Sequence, residues 1–146
     1  MRPAFALLVV ATVVAGCGGG GGGRLSKNAY EAKLHAAFTA AFDRVRTQDV
    51  TPETVATSYS GLASSLKGVR PPANVQSLND ELVDGASRQA GALNALVASV
   101  ENKPKSVRDR ILAQFDAAGI AGRHEFDNAV ATLRAKGYRI SSSGDT

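Results

Sequence analysis

Residues 51–72 read TPETVATSYSGLASSLKGVRPP, and the fold is decided there. Thr51 offers a hydroxyl to the free N–H groups of a helix start. Pro52 occupies the first helical position, where no N–H is needed, and Glu53 places a carboxylate in the positive first turn. Val55, Tyr59, Leu62 and Leu66 then recur at helical spacing as one apolar stripe. Gly68 stands where a left-handed residue closes a helix, with Val69 placed for the hydrophobic contact of a Schellman end. Pro71-Pro72 cannot continue a helix. The stretch predicts a helix over about 52–67, stopped on both sides by its own residues.

Working outward, the same punctuation holds. Pro104 also falls between segments of helical period, and an interior proline would cost a helix about 3 kcal/mol. Before Thr51, Ser26 is an N-cap for a helix over about 27–48, with Tyr30, Leu34, Ala37, Phe38, Ala41 and Val45 as its stripe and Phe42 widening it. After the proline pair, a helix over about 74–101 carries Val75, Leu78, Leu82, Ala86, Ala90, Leu93, Val97 and Val100. Gly85 and Gly91 lie inside it, each costing about 1 kcal/mol against Ala unless it admits a neighbouring backbone. A fourth helix over about 105–136 carries Val107, Ile111, Phe115, Ala118, Gly122, Phe126, Val130 and Leu133. Its stripe keeps phase across Gly119–Gly122, which favours one long helix bent at the glycines, with a true break as the alternative. Gly137 is its cap. No alternation of period two persists, so no strand is expected. Short connections make sequential helices antiparallel, and the expected architecture is an all-α, up-down-up-down four-helix bundle. With few aromatics and much Ala, its core is expected to pack by close helix approach and not by large rings.

The N-terminus has another character. Arg2 precedes an apolar run from Ala4 to Ala15, interrupted only by Thr12. Its length suits the h-region of a secretory signal and falls short of the ~20 residues that span a bilayer. The run closes on Val14-Ala15-Gly16-Cys17, which resembles the lipobox of bacterial lipoproteins. That resemblance implies cleavage before Cys17 and a diacylglycerol on its thiol. Cys17 is the only cysteine in the chain, so no intramolecular disulfide is possible. Gly18–Gly23 follow as a flexible spacer. The expected organisation is a signal peptide over 1–16, lipidated Cys17 with a Gly-rich linker over 17–25, a helical domain over 26–140, and a disordered polar tail over 141–146. Together with the Gly spacer, the Pro-Pro corner and the helix pattern, the chain resembles small helical-bundle lipoproteins of uncharacterised function from high-GC Gram-positive bacteria. Arg outnumbers Lys 11 to 6, in keeping with a GC-rich source.

Removing Arg2 with the signal leaves 16 Lys and Arg against 13 Asp and Glu. That mild excess is no nucleic-acid footprint, which needs a clustered stripe. Its sign suits weak attraction to an anionic membrane or wall polymer. The candidates for site chemistry are few. His35 and His124 fall on helices expected to be antiparallel neighbours, at levels within about 5 Å by helix rise. Neither lies on its apolar stripe, and a metal needs three or four converging ligands. Asp80, Glu81 and Asp84 cluster near a helix start, where acids are stabilising anyway. Lys103, Lys105, Arg108 and Arg110 gather at the third connection, and Lys67 and Arg70 at the second. The serines lack a nucleophile elbow.

No catalytic set and no cofactor is implied. The reading is a non-enzymatic lipoprotein on the extracytoplasmic face of the membrane, a helical module binding another envelope protein or a wall polymer. The alternative is a lipid-anchored carrier or sensor with a small ligand or metal in a groove between helices. The tether places the start of the first helix and the Pro-Pro corner at the membrane side, and the Lys103–Arg110 turn outward.

Overall fold

The computed structural model describes residues 23–47, 50–118 and 122–140. Cys17, the signal and nearly all of the Gly spacer lie outside the described residues, as does the tail over 141–146. Among the described residues the protein is all-α, without a strand. It has five helices: α1 (Lys27–Thr47), α2 (Pro52–Leu66), α3 (Gln76–Val100), α4 (Lys105–Ala118) and α5 (Arg123–Ala135). A 3-10 turn over Ala73–Val75 leads into α3.

The helix ends follow local chemistry. At α2, Thr51 Oγ1 accepts from the Thr54 N–H while Thr54 Oγ1 accepts from the Thr51 N–H, a reciprocal capping box behind Pro52. Ser26 Oγ accepts from the Ala29 N–H at the start of α1. The expected Schellman end at Gly68 is replaced by a type II turn. Lys67 is extended, Gly68 sits at φ +81°, and the Val69 N–H donates to the Leu66 carbonyl. The same device ends α3, with Asn102 at φ +61° in the left-handed position and the Lys103 N–H donating to Val100. The Schellman motif occurs instead at α5. Tyr138 donates to Leu133 and Gly137 to Arg134, with Gly137 at φ +76° and Tyr138 buried beneath.

The single fourth helix expected over 105–136 is corrected to two helices, α4 and α5. Gly122 is the reason. It caps α5 in the left-handed region at φ +83°, a conformation that interrupts a right-handed helix. The in-phase stripe survives because α5 reaches the core regardless: Phe126, Ala129 and Leu133 are buried.

Contacts fix the directions. Tyr30, at the start of α1, meets Tyr138 beyond α5 and Asn79 at the start of α3, whereas Phe38 meets Phe126 early in α5. Thus α1 and α5 run antiparallel, as do α3 and α5. Helix α3 packs against both α2 and α5, α1 packs against α2, and α4 touches α3 only lightly. At about 1.5 Å per residue, the 25 residues of α3 outrun the 15 of α2.

The core corrects one further expectation. Four rings close a circuit: Phe38 with Phe42, Phe42 with Tyr59, Tyr59 with Phe126, and Phe126 with Phe38, at centroid separations of 5.4–6.1 Å. They join α1, α2 and α5, and edge-on aromatic pairs contribute about 0.5–1.5 kcal/mol beyond burial. Few aromatics suffice because they meet at one level. Small residues do the complementary work between α3 and α5. A Cβ on Gly85 would stand 2.9 Å from the Phe126 nitrogen and 3.0 Å from the Gly122 oxygen. Gly91, by contrast, faces open space. On α3 the buried face includes Leu96, Asn79 and Gln89, absent from the expected stripe, while Val97 and Val100 are only half-buried.

Candidate functional site

Two polar groups in the core have distinct fates. The Tyr30 hydroxyl donates to Asn79 Oδ1 at 3.1 Å, both residues being buried. Burial, then the neighbouring Tyr138 and Asp80, raises the Tyr30 phenol well above the ordinary tyrosine range. Tyr59 shifts the same way, through burial first and Asp127 second. Gln89 is buried, and its Nε2 has no hydrogen-bond partner among the described residues. On the surface, Glu53 is held below the usual carboxylate range by backbone and Thr51 hydrogen bonds at the start of α2. Each shift has a packing or capping cause.

The residues singled out from sequence separate. His35 and His124 are both exposed. The Phe38–Phe126 contact sets His124 at the level of about residue 40, roughly 7.5 Å along the axis from His35. Among the described residues no three His, Cys, Asp or Glu side chains converge on one point. Asp80, Glu81 and Asp84 are exposed, and Asp80 Oδ1 accepts from Gln76 Nε2. At the connection between α3 and α4, Lys103, Lys105, Arg108 and Arg110 are exposed, and Lys105 pairs with Asp109 one turn on.

The described clefts are open grooves, and the two larger ones have mainly polar walls. One of about 370 Å³ runs between α2 and α3 past Ser60, Ser64, Lys67, Ser87 and Asn94. Another of about 420 Å³ lies beside the Pro-Pro corner, between Arg24, Gly68, Arg70, Gln76 and Asp80. A smaller one of about 160 Å³ separates α1 from α2.

The second of these belongs to a larger feature, a basic end. The chain enters α1 there, fastened to the corner. The Leu25 N–H donates to the Arg70 carbonyl at 2.7 Å, and Arg24 Nη1 donates to the Pro71 carbonyl and to Gln76 Oε1. From the other side the chain leaving α5 arrives. Lys27 Nζ lies 5.2 Å from the centre of the Tyr138 ring, and the Arg139 N–H donates to Glu31 Oε1. Arg24, Lys27, Lys67, Arg70, Lys136 and Arg139 are all exposed on this end, against Glu31, Asp80 and Glu81 in the second turns of α1 and α3. Sequence reading singled out only Lys67 and Arg70 of the six. The remaining signal was the antiparallel order itself, which returns residues near 25, 70 and 138 to one end.

Compared with known proteins, the chain matches no family model, no curated protein and no solved structure. Among the described residues no helix is long and apolar enough to cross a membrane.

Proposed function

We propose that the chain is a lipid-anchored lipoprotein on the extracytoplasmic face of a bacterial membrane, and that its helical domain is a non-enzymatic interaction module of the cell envelope. The observation that carries this reading is Val14-Ala15-Gly16-Cys17 closing an apolar run, with six glycines between it and Arg24. The domain starts immediately after that spacer, and Arg24 and Leu25 are already bound to the Pro-Pro corner. Within the domain, α1, α2, α3 and α5 constitute an up-down-up-down four-helix bundle, with α4 laid beside the outer half of α3. The interaction reading is preferred to a small-ligand carrier because the larger groove between helices, that of α2 and α3, has serine, lysine and asparagine in its wall, and the one between α1 and α2 holds only about 160 Å³, whereas carrier pockets are concave, mostly apolar and about 300–1,000 Å³. The partner is another envelope protein or an anionic polymer.

Metabolic labelling with a fatty acid tests the anchor. The wild-type chain takes up the label and shortens by its signal segment, whereas Cys17→Ser stays unlabelled and uncleaved. Labelling that persists in Cys17→Ser overturns the reading.

A further inference from the structure

We propose that the basic end of the domain rests on the anionic phospholipid surface into which the chain's own anchor is inserted. This rests on the lipid-anchored reading of Cys17 and adds to it an orientation and a lipid class.

Three observations converge. First, the cations are assembled by the fold: Arg24 and Lys27, Lys67 and Arg70, and Lys136 and Arg139 come from three separate stretches, and all six are exposed at one end. The nearby carboxylates Glu31, Asp80 and Glu81 offset only part of this charge, and the end stays net positive. Second, the frame beneath the charges is stiff. Pro71-Pro72 set the corner, and the chain ahead of α1 is bonded to it through Leu25 and Arg24. Little backbone freedom is lost when such a surface is pressed against a plane. Third, the reach is short. Cys17 precedes Arg24 by seven residues, which can span at most about 25 Å. Attraction to an anionic leaflet falls off within a Debye length of about 8 Å, so a lipid on Cys17 keeps this end, and not the far one, within range. The opposite end, with Lys103 and Lys105, is held away by the length of α3.

The test uses the full lipidated chain reconstituted into vesicles of phosphatidylcholine alone or mixed with phosphatidylglycerol. Cys17 is the only native cysteine and its thiol is consumed by lipidation, so an introduced cysteine takes a fluorophore alone. Asn74→Cys marks the corner and Ser106→Cys marks the start of α4; both positions are exposed. A lipid carrying a headgroup quencher reports proximity. The expected result is several-fold stronger quenching at position 74 in the anionic vesicles, lost in high salt and lost in the triple variant Lys27→Gln, Lys67→Gln, Lys136→Gln, with position 106 unquenched throughout. Replacing Lys103 and Lys105 by Gln leaves the signal intact. Equal quenching at position 74 in both lipids, with the protein still vesicle-bound, overturns the orientation and leaves the anchor standing. Quenching at position 106 instead assigns the membrane to the wrong end and overturns the proposal. Failure to stay on either vesicle overturns the anchor and the orientation together.

Discussion

Gly85 and Gly122 meet backbone to backbone: a Cβ on Gly122 would stand 2.6 Å from the Gly85 carbonyl oxygen. One glycine sits inside α3 and the other caps α5, so a single contact sets both the spacing of two helices and the point where α5 begins. The exposed Arg88–Glu125 ion pair lies one turn away at 3.1 Å. Exposed pairs of this kind contribute about 1 kcal/mol or less, so the glycines hold the interface.

Gly85→Ala should therefore destabilise the domain by about 1–3 kcal/mol, because backbone and not a yielding side chain opposes the new methyl. Gly91→Ala is the matched control. It lies in the same helix with open space around it, and it should gain about 0.5–1 kcal/mol from reduced backbone entropy of the unfolded chain. Urea unfolding measures both. Equal effects at the two positions would remove close approach as the explanation.

Tyr30→Phe leaves Asn79 Oδ1 without its buried donor and should cost about 1–3 kcal/mol. It should also alter the alkaline limb of stability. The folded-state phenol of Tyr30 is raised above its unfolded value near 10. The unfolded chain therefore releases that proton first. Stability is intact below about pH 10 and falls as pH rises beyond it. Tyr59 acts with the same sign. Melting temperatures across the alkaline range should fall less steeply for Tyr30→Phe than for wild type. A parallel decline in the two proteins would contradict the burial argument.

Gln89→Met should be neutral or stabilising. The native amide is buried with Nε2 unpartnered among the described residues, and an unmade hydrogen bond costs about 1–3 kcal/mol in lost solvation. A thioether of similar length fills the same space without that penalty. A loss above about 1 kcal/mol on denaturation would mean that the amide makes a bond worth keeping.

Helix existence and most ends were legible locally. Thr51-Pro52, Gly68, Pro71-Pro72 and Gly137 act through their own dihedrals and hydrogen-bonding groups, which need no partner element. The buried faces of α1 and α2 were legible for Tyr30, Leu34, Phe38, Leu62 and Leu66 through period alone. Periodicity was blind at Gly122, because a stripe counts residues per turn and an in-phase stripe does not record a left-handed residue within it. It was equally blind at Leu96 and Gln89, whose burial depends on which face of α3 its neighbours cover.

The chain by itself determined an all-α domain behind an apolar run and six glycines, since caps, prolines and apolar period are properties of short segments. Tertiary structure alone decided the rest. It brought Gly85 against Gly122, closed four rings into one circuit, and gathered Arg24, Lys67 and Arg139 at a single end. Those relationships join residues far apart in sequence, and only the antiparallel packing of whole helices determines which of them meet.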